Sequence, residues 1–232
     1  MTTLILLAAG RGSRLKGLTA EVPKCLNNYQ GKSLLQHILD TASRFEEQIT
    51  NKVIVSGYRS ELLAKLGYEV LENTDWNSSG PFGSLTCAQR YLDTTDCIVS
   101  YTDIVYGEEF LQSCLSSKAN IFLPSNSNYR QSWSRREVRI LDDLERFVCL
   151  DNKLIEIGSR PKSFSEIQGQ FAGIFKTSPE GWRSILEVTR DVDSKKMDMT
   201  SVFSLAIKNG VCIQCEQVLS NWKEFDLPSD FH

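Results

Sequence analysis

The chain has 232 residues, 41% hydrophobic and 24% charged, enough for one substantial domain with a buried core; disordered and collagen-like classes are excluded. A formal net charge of -3 gives no whole-molecule positive field for nucleic acid or an anionic membrane, so any phosphate binding must be local. Seven cysteines, an odd and scattered set, fit a reducing compartment better than a disulfide framework, and the expected location is the cytoplasm.

The first element, TLILLAA, reads as a buried strand. Leu4 to Ala9 is too short to span a bilayer, and Met1-Thr2-Thr3 lacks the charge of a signal peptide, so no export or anchoring segment is expected. SLLQHILDTASRF places Leu34, Leu35, Ile38, Leu39, Ala42 and Phe45 on one helical face, with Ser33 as N-cap. Then come KVIVSG (strand), RSELLAKL (helix), YEVLEN (strand), GSLTCAQRYL (helix), CIVSYTDIV (strand), EEFLQSCLSS (helix) and NIFLPS. Alternation of this kind predicts an α/β fold, a Rossmann-like mixed, mostly parallel sheet flanked by helices.

Residues 125–145 break the rhythm with a polar stretch of mixed charge, and FVCL-DN-KLIEIG follows, where Asp151-Asn152 suits a two-residue hairpin turn. We read 125–168 as an excursion carrying a hairpin beside the sheet. GQFAGIFK should return to the sheet, followed by helices near 179–190 and 199–209 and a strand through VCIQCEQV. No repeat or linker is visible, so 1–232 is expected to form a single domain.

Open parallel sheets bind ligands beyond the carboxyl ends of their strands, and the first such end here is Ala8-Ala9-Gly10-Arg11-Gly12. Glycine lets successive amide N–H groups converge on an anion or a base edge, while Arg11, Arg14, Lys16 and Lys24 add local positive charge. The Walker pattern has no match, and the dinucleotide fingerprint would require glycine where Leu15 stands. A lone GRG would read as an ordinary turn; the PKCL that follows changes that.

LAAGRGSRLKGLTAEVPKCL resembles the signature loop of sugar-phosphate-type nucleotidyltransferases, L-A-A-G-x-G-x-R-L-x-x-L-T-x-x-x-P-K-x-L, at every fixed position. SGY at 56–58, GSLTCAQ at 83–89, SYTDIVY at 100–106, IEIG at 155–158, GQFAGIFK at 169–176, MDMTSVF at 197–203 and NWKEFDLPSDF at 221–231 follow in family order. Within that superfamily the chain looks most like small cytidylyltransferases acting on phosphocholine, 2-aminoethylphosphonate or phosphoglutamine.

The resemblance implies a magnesium-dependent transfer of CMP from CTP to a small phosphate or phosphonate, with release of pyrophosphate. It implies backbone contacts to the nucleotide from Leu7, Ala8, Ala9, Gly10, Arg11 and Gly12, and a contact from Ser84, whose ordinary reading is an N-cap. Arg14 and Lys24 would grip phosphate oxygens; Pro23 disfavours helix at Val22, letting Lys24 reach back over the loop. Asp103 and Asp226 would hold Mg2+, although either alone would read as a cap or turn residue, and Glu224 would support Asp226 or be solvated.

Acceptor specificity is expected in the excursion and nearby strands: Tyr129 and Trp133 as an aromatic wall or as packing beneath a loop, with Asp143, Glu145, Arg135 and Arg136 and, on the GQFAG strand, Gln170 as further contacts. C-I-Q-C at 212–215 lacks a second pair and reads as buried apolar cysteine, while His37 and His232 read as structural. Two alternatives stay open: a sugar-1-phosphate uridylyl- or guanylyltransferase, and a noncatalytic nucleotide-binding module of the same fold. A homodimer is also left open.

Overall fold

The computed structural model describes residues 1–130, 141 and 144–231. The chain opens with β1 (Thr2–Ala8), two 3-10 segments (Ser13–Thr19, Lys24–Leu26), the small ribbon β2 (Asn28–Tyr29) and β3 (Lys32–Ser33), and α1 (Leu34–Ala42). There follow β4 (Ile49–Ser56), α2 (Ser60–Leu63), β5 (Glu69–Glu72), α3 (Pro81–Thr86), α4 (Gln89–Leu92), β6 (Asp96–Tyr101), β7 (Ile104–Tyr106), α5 (Glu108–Ser116) and β8 (Ile121–Asn126). The remainder comprises β9 (Phe147–Leu150), β10 (Lys153–Ile157), β11 (Gln170–Phe171), β12 (Ile174–Thr177), α6 (Pro179–Val188), α7 (Met199–Lys208), β13 (Gln214–Val218) and β14 (Trp222–Glu224).

The main sheet runs β5-β4-β1-β6-β12-β8-β13-β10-β9, with β11 paired to β8. The pairings set β10, β11 and β12 against the direction shared by the others, which is the mixed, mostly parallel sheet expected. β1 lies between parallel β4 and β6, so Ala8, Ser56 and Tyr101 end neighbouring strands on the same edge. Alternation along β1 sends Leu4 and Leu6 to one core, with Leu35 and Phe110, and Ile5 to the other, with Leu85, Trp182 and Phe203. Helices on both faces keep the strand ends open for a ligand. Ser33 caps α1 by accepting from Gln36 N at 3.1 Å, as its sequence position predicts.

Four local expectations need correction. The helix over GSLTCAQRYL splits into α3 and α4 at Cys87-Ala88, where the Thr86 hydroxyl and Cys87 thiol both donate back to Gly83 O and compete with the helical ladder. The strand over CIVSYTDIV breaks after Tyr101: the Thr102 hydroxyl donates to Leu7 O at 2.7 Å, and β7 leaves to pair with β14.

The hairpin β9–β10 turns through Asp151 and Asn152, at φ 49° and 60°, as anticipated. It does not stand beside the sheet but extends its edge, joined through the Lys153–Gln214 pair. The cysteines are not all free, because Cys149 on β9 and Cys215 on β13 form a disulfide. Cys212 is exposed, so neither cysteine of C-I-Q-C is a buried thiol, whereas Cys25, Cys97 and Cys114 are. Among the described residues, no helix is long and apolar enough to cross a membrane.

Candidate active site

β1 ends at Ala8, and the loop after it turns at Gly12, whose φ of 71° belongs to the left-handed region that side chains disfavour. Space forbids a side chain there too: an added Cβ would lie 2.9 Å from Lys24 Cβ and Cδ. Pro23 holds extended angles (φ -64°, ψ 153°) and starts the turn Lys24–Leu26, folding the lysine back across Gly12.

The Lys24 ammonium donates to Asp103 Oδ2 at 2.8 Å and to Asp226 Oδ1 at 2.7 Å, and Arg14 Nη1 lies 3.0 Å from Asp226 Oδ2. Burial alone would lower the Lys24 pKa, but the charges and hydrogen bonds of Asp103 and Asp226 outweigh it and raise it from 10.5. Asp103 follows β6, and Asp226 follows β14; Phe225 N donating to Asp103 O at 2.9 Å ties the two segments together. Asp230 Oδ2 accepts from the backbone N–H of both Asp226 and Leu227 at 2.8 Å, fixing the second carboxylate's turn. That device was not anticipated from the sequence.

A cavity of about 300 Å3 lies over this edge and is lined by Leu7, Ala8, Ala9, Gly10 and Gly12, together with Arg14, Lys24, Asp103, Asp226 and Ser84. Ser84 is not the N-cap of its helix; Gly80 is, and the buried Ser84 hydroxyl accepts from Asn73 Nδ2 at 3.0 Å. Arg11 turns aside, its guanidinium 5.3 Å from the Tyr58 ring centroid. Trp76, Ser79 and Pro81 complete part of the lining, and none of them carries a motif signal strong enough to single it out in the sequence. His37 is structural as expected, its Nε2 paired with Tyr29 O at 2.8 Å.

The acceptor-side residues divide. Tyr129 is buried, and its hydroxyl donates to Ile167 O at 3.2 Å, so it packs beneath the segment and offers no wall to a ligand. Gln170 is also buried; its amide spans the Glu145 backbone, accepting from Glu145 N at 3.1 Å and donating to Glu145 O. Burial first, then the charge of Asp198, raise the Glu145 carboxyl above its usual range. Tyr101, a cavity-lining residue, has its phenol pKa pushed up by burial first and then by the charges of Asp103, Asp198 and Glu145. Trp133, Arg135, Arg136, Asp143 and His232 lie outside the described residues.

The donor set suits a hard divalent cation. Asp103 Oδ1 is buried without a hydrogen-bond partner among the described residues, and a second carboxylate stands across Lys24. Among the described residues no group of three His, Cys, Asp or Glu side chains gathers to hold a metal, and a cation at this edge would meet the Asp103 and Asp226 carboxylates.

Residues 4–170 match the family described as the MobA-like NTP transferase domain. The CTP:phosphoglutamine cytidylyltransferase of Campylobacter jejuni is 26% identical over 245 residues, covering 97% of this chain and 96% of that protein. The inositol-1-phosphate CTP transferase of T. maritima superposes with a TM-score of 0.78 at 21% identity, covering 99% of this chain and 91% of the other. The CTP:phosphocholine cytidylyltransferase of Streptococcus pneumoniae gives 0.73 at 18% identity, covering 99% and 96%. The loop from β1 to Lys24, the mixed sheet and these likenesses agree, and the chain belongs to the MobA-like NTP transferase family of nucleotidyltransferases.

Proposed function

We propose that this protein is a magnesium-dependent cytidylyltransferase that joins CMP from CTP to a small phosphate or phosphonate and releases pyrophosphate. The observation that carries the reading is Lys24 Nζ held between Asp103 and Asp226, with Arg14 on Asp226, at the mouth of the Ala8–Gly12 loop. Backbone from Leu7 to Gly12 and the Ser84 region would receive the nucleoside, while Arg14 and Lys24 turn from carboxylate to phosphate oxygens. Asp103 and Asp226 would hold Mg2+, which when bound offsets charge repulsion between an incoming oxygen and the triphosphate.

In the reaction an acceptor oxygen forms a bond to the α-phosphorus of CTP as the bond to the bridging α–β oxygen breaks, and pyrophosphate leaves with that electron pair. No protein nucleophile is needed; these side chains position reactants and balance charge. Support for CTP and for a compact phosphate acceptor comes from the related proteins, each of which is named for CTP and a small phosphate compound. Glu145, whose backbone is held by Gln170, would meet a positively charged head group on that acceptor. We take the whole chain as one catalytic unit, working in the cytoplasm, where its triphosphate is available.

The test is pyrophosphate release by the purified protein with each of the four NTPs, Mg2+, and a panel of phosphocholine, 2-aminoethylphosphonate, phosphoglutamine and inositol 1-phosphate. Release with CTP and one acceptor, lost in Asp103→Asn and Asp226→Asn, is expected. Absence of release across the panel would overturn the proposal.

A further inference from the structure

The cavity has two chemically different sides. β6 lies on one flank of β1 and delivers Asp103 to the charged cluster; β4 and β5 lie on the other, and the segments that follow them deliver Gly57, Tyr58 and Trp76. On this second side the lining is aromatic and uncharged, from Trp76 together with Ser79, Gly80 and Pro81.

Trp76 is held there by construction. A Cβ added to Gly57 would fall 2.4 Å from Trp76 Cβ and 2.7 Å from Ala9 O, so only glycine lets the tryptophan close against the nucleotide loop. Tyr58 N donates to Ala9 O at 2.9 Å, docking the same segment on the end of β1. The Tyr58 ring meets the indole edge-on, with centroids 5.3 Å apart at 61°, while the Tyr58 hydroxyl donates to Ala20 O at 2.6 Å. An indole fixed on two sides and half-buried on the wall of a cavity is a preorganised flat surface.

A nucleoside triphosphate likewise has one polyanionic end and one flat, uncharged aromatic end. With the phosphates at Arg14 and Lys24, the uncharged side of the cavity that carries Trp76 is the one whose chemistry suits the base. Resting on the nucleotide-transfer reading above, we infer that Trp76 forms an aromatic wall for the nucleobase or its ribose, and that Gly57 exists to seat it. Trp76 would then contribute to nucleotide affinity in a way that is indifferent to the phosphates.

Calorimetry with CTP and with inorganic tripolyphosphate separates this role from simple packing. Replacing an aromatic ring that stacks on a base by alanine weakens binding by about 5- to 150-fold, so Trp76→Ala should lose CTP affinity in that range while keeping tripolyphosphate affinity. Trp76→Phe, which retains a flat ring, should recover most of the CTP affinity, and the change in tryptophan fluorescence that CTP causes in the native protein should be smaller in it, by the share Trp76 contributes among four tryptophans. Equal CTP affinity in native protein and Trp76→Ala, or a parallel loss for CTP and tripolyphosphate, overturns the inference. If the native protein binds tripolyphosphate but no NTP more tightly, the nucleotide-transfer reading itself fails.

Discussion

Lys24 donates to Asp103 at 2.8 Å across 79 residues of sequence, and the same ammonium holds Asp226. Two cations and two carboxylates are thus paired off at the carboxyl edge of β1, β6 and the segment after β14. A triphosphate arriving with a divalent ion would redistribute these partners, cations to phosphate and carboxylates to metal. The lysine therefore occupies the space between the two carboxylates.

Removing that lysine should separate a pair of effects that normally travel together. In Lys24→Met, turnover should fall by about a hundredfold or more, as when one preorganised transition-state donor is lost. Affinity of the nucleotide-free protein for Mn2+, read by calorimetry, should rise by about tenfold or more, because a unit charge 4 Å away is worth about 1 to 4 kcal/mol. The pH behaviour has a definite sign. A lysine whose folded pKa lies above 10.5 stabilises the fold fully below that value and loses its contribution as pH rises through the folded value. The alkaline fall in melting temperature should be shallower in Lys24→Met than in the native protein.

Gly12→Ala should be a geometric lesion in the same cluster. The new methyl group must adopt a positive φ and would crowd Lys24 Cβ and Cδ, displacing the ammonium from its two carboxylates. Misplacement of about 1 Å can cost about 100-fold in rate, so a comparable drop in kcat is expected. Circular dichroism should remain that of a folded protein.

Glu145→Gln should act on the acceptor and not on the nucleotide. If the carboxylate meets a cationic head group, KM for the acceptor rises while KM for CTP holds. Its folded pKa is raised by burial and Asp198, so ionising it opposes folding: stability falls as pH climbs from 4.5 through the folded value. The glutamine variant should therefore melt above the native protein at pH 7.

Thiol titration checks the cysteine pairing. Denatured protein prepared without reductant should show five free thiols, and seven after reduction. Cys149→Ser should lower stability by about 2–4 kcal/mol in the oxidised protein, because the bond closes a long loop, and by far less once both are reduced.

Much of the candidate site was legible because it is local in sequence: the strand, Gly12, Arg14, Pro23 and Lys24 all fall within one short stretch. Asp103 and Asp226 were reachable only through resemblance, since nothing in either local pattern distinguishes a metal ligand from a turn residue. Asp230, the brace of Asp226, and Gly57, the seat of Trp76, act through three-dimensional contacts that no periodicity encodes. For Tyr129 the sequence left a binding wall and packing beneath a loop both open, and only the fold decides between them: the core takes the ring and Ile167 O accepts from its hydroxyl. The hairpin's place was hidden for a related reason, since attachment to β13 through Lys153 and Gln214 leaves no alternation signal of its own.

Asp226 follows Lys24 by 202 positions, and the intervening chain must fold before the two can touch. During synthesis on the ribosome the Lys24–Asp226 pair cannot close until Asp226, beyond β14, has cleared the exit tunnel, long after β1 and its loop have emerged. A protease nick between β13 and β14 would therefore cut the covalent path between Lys24 and Asp226 while sparing the strands of the main sheet.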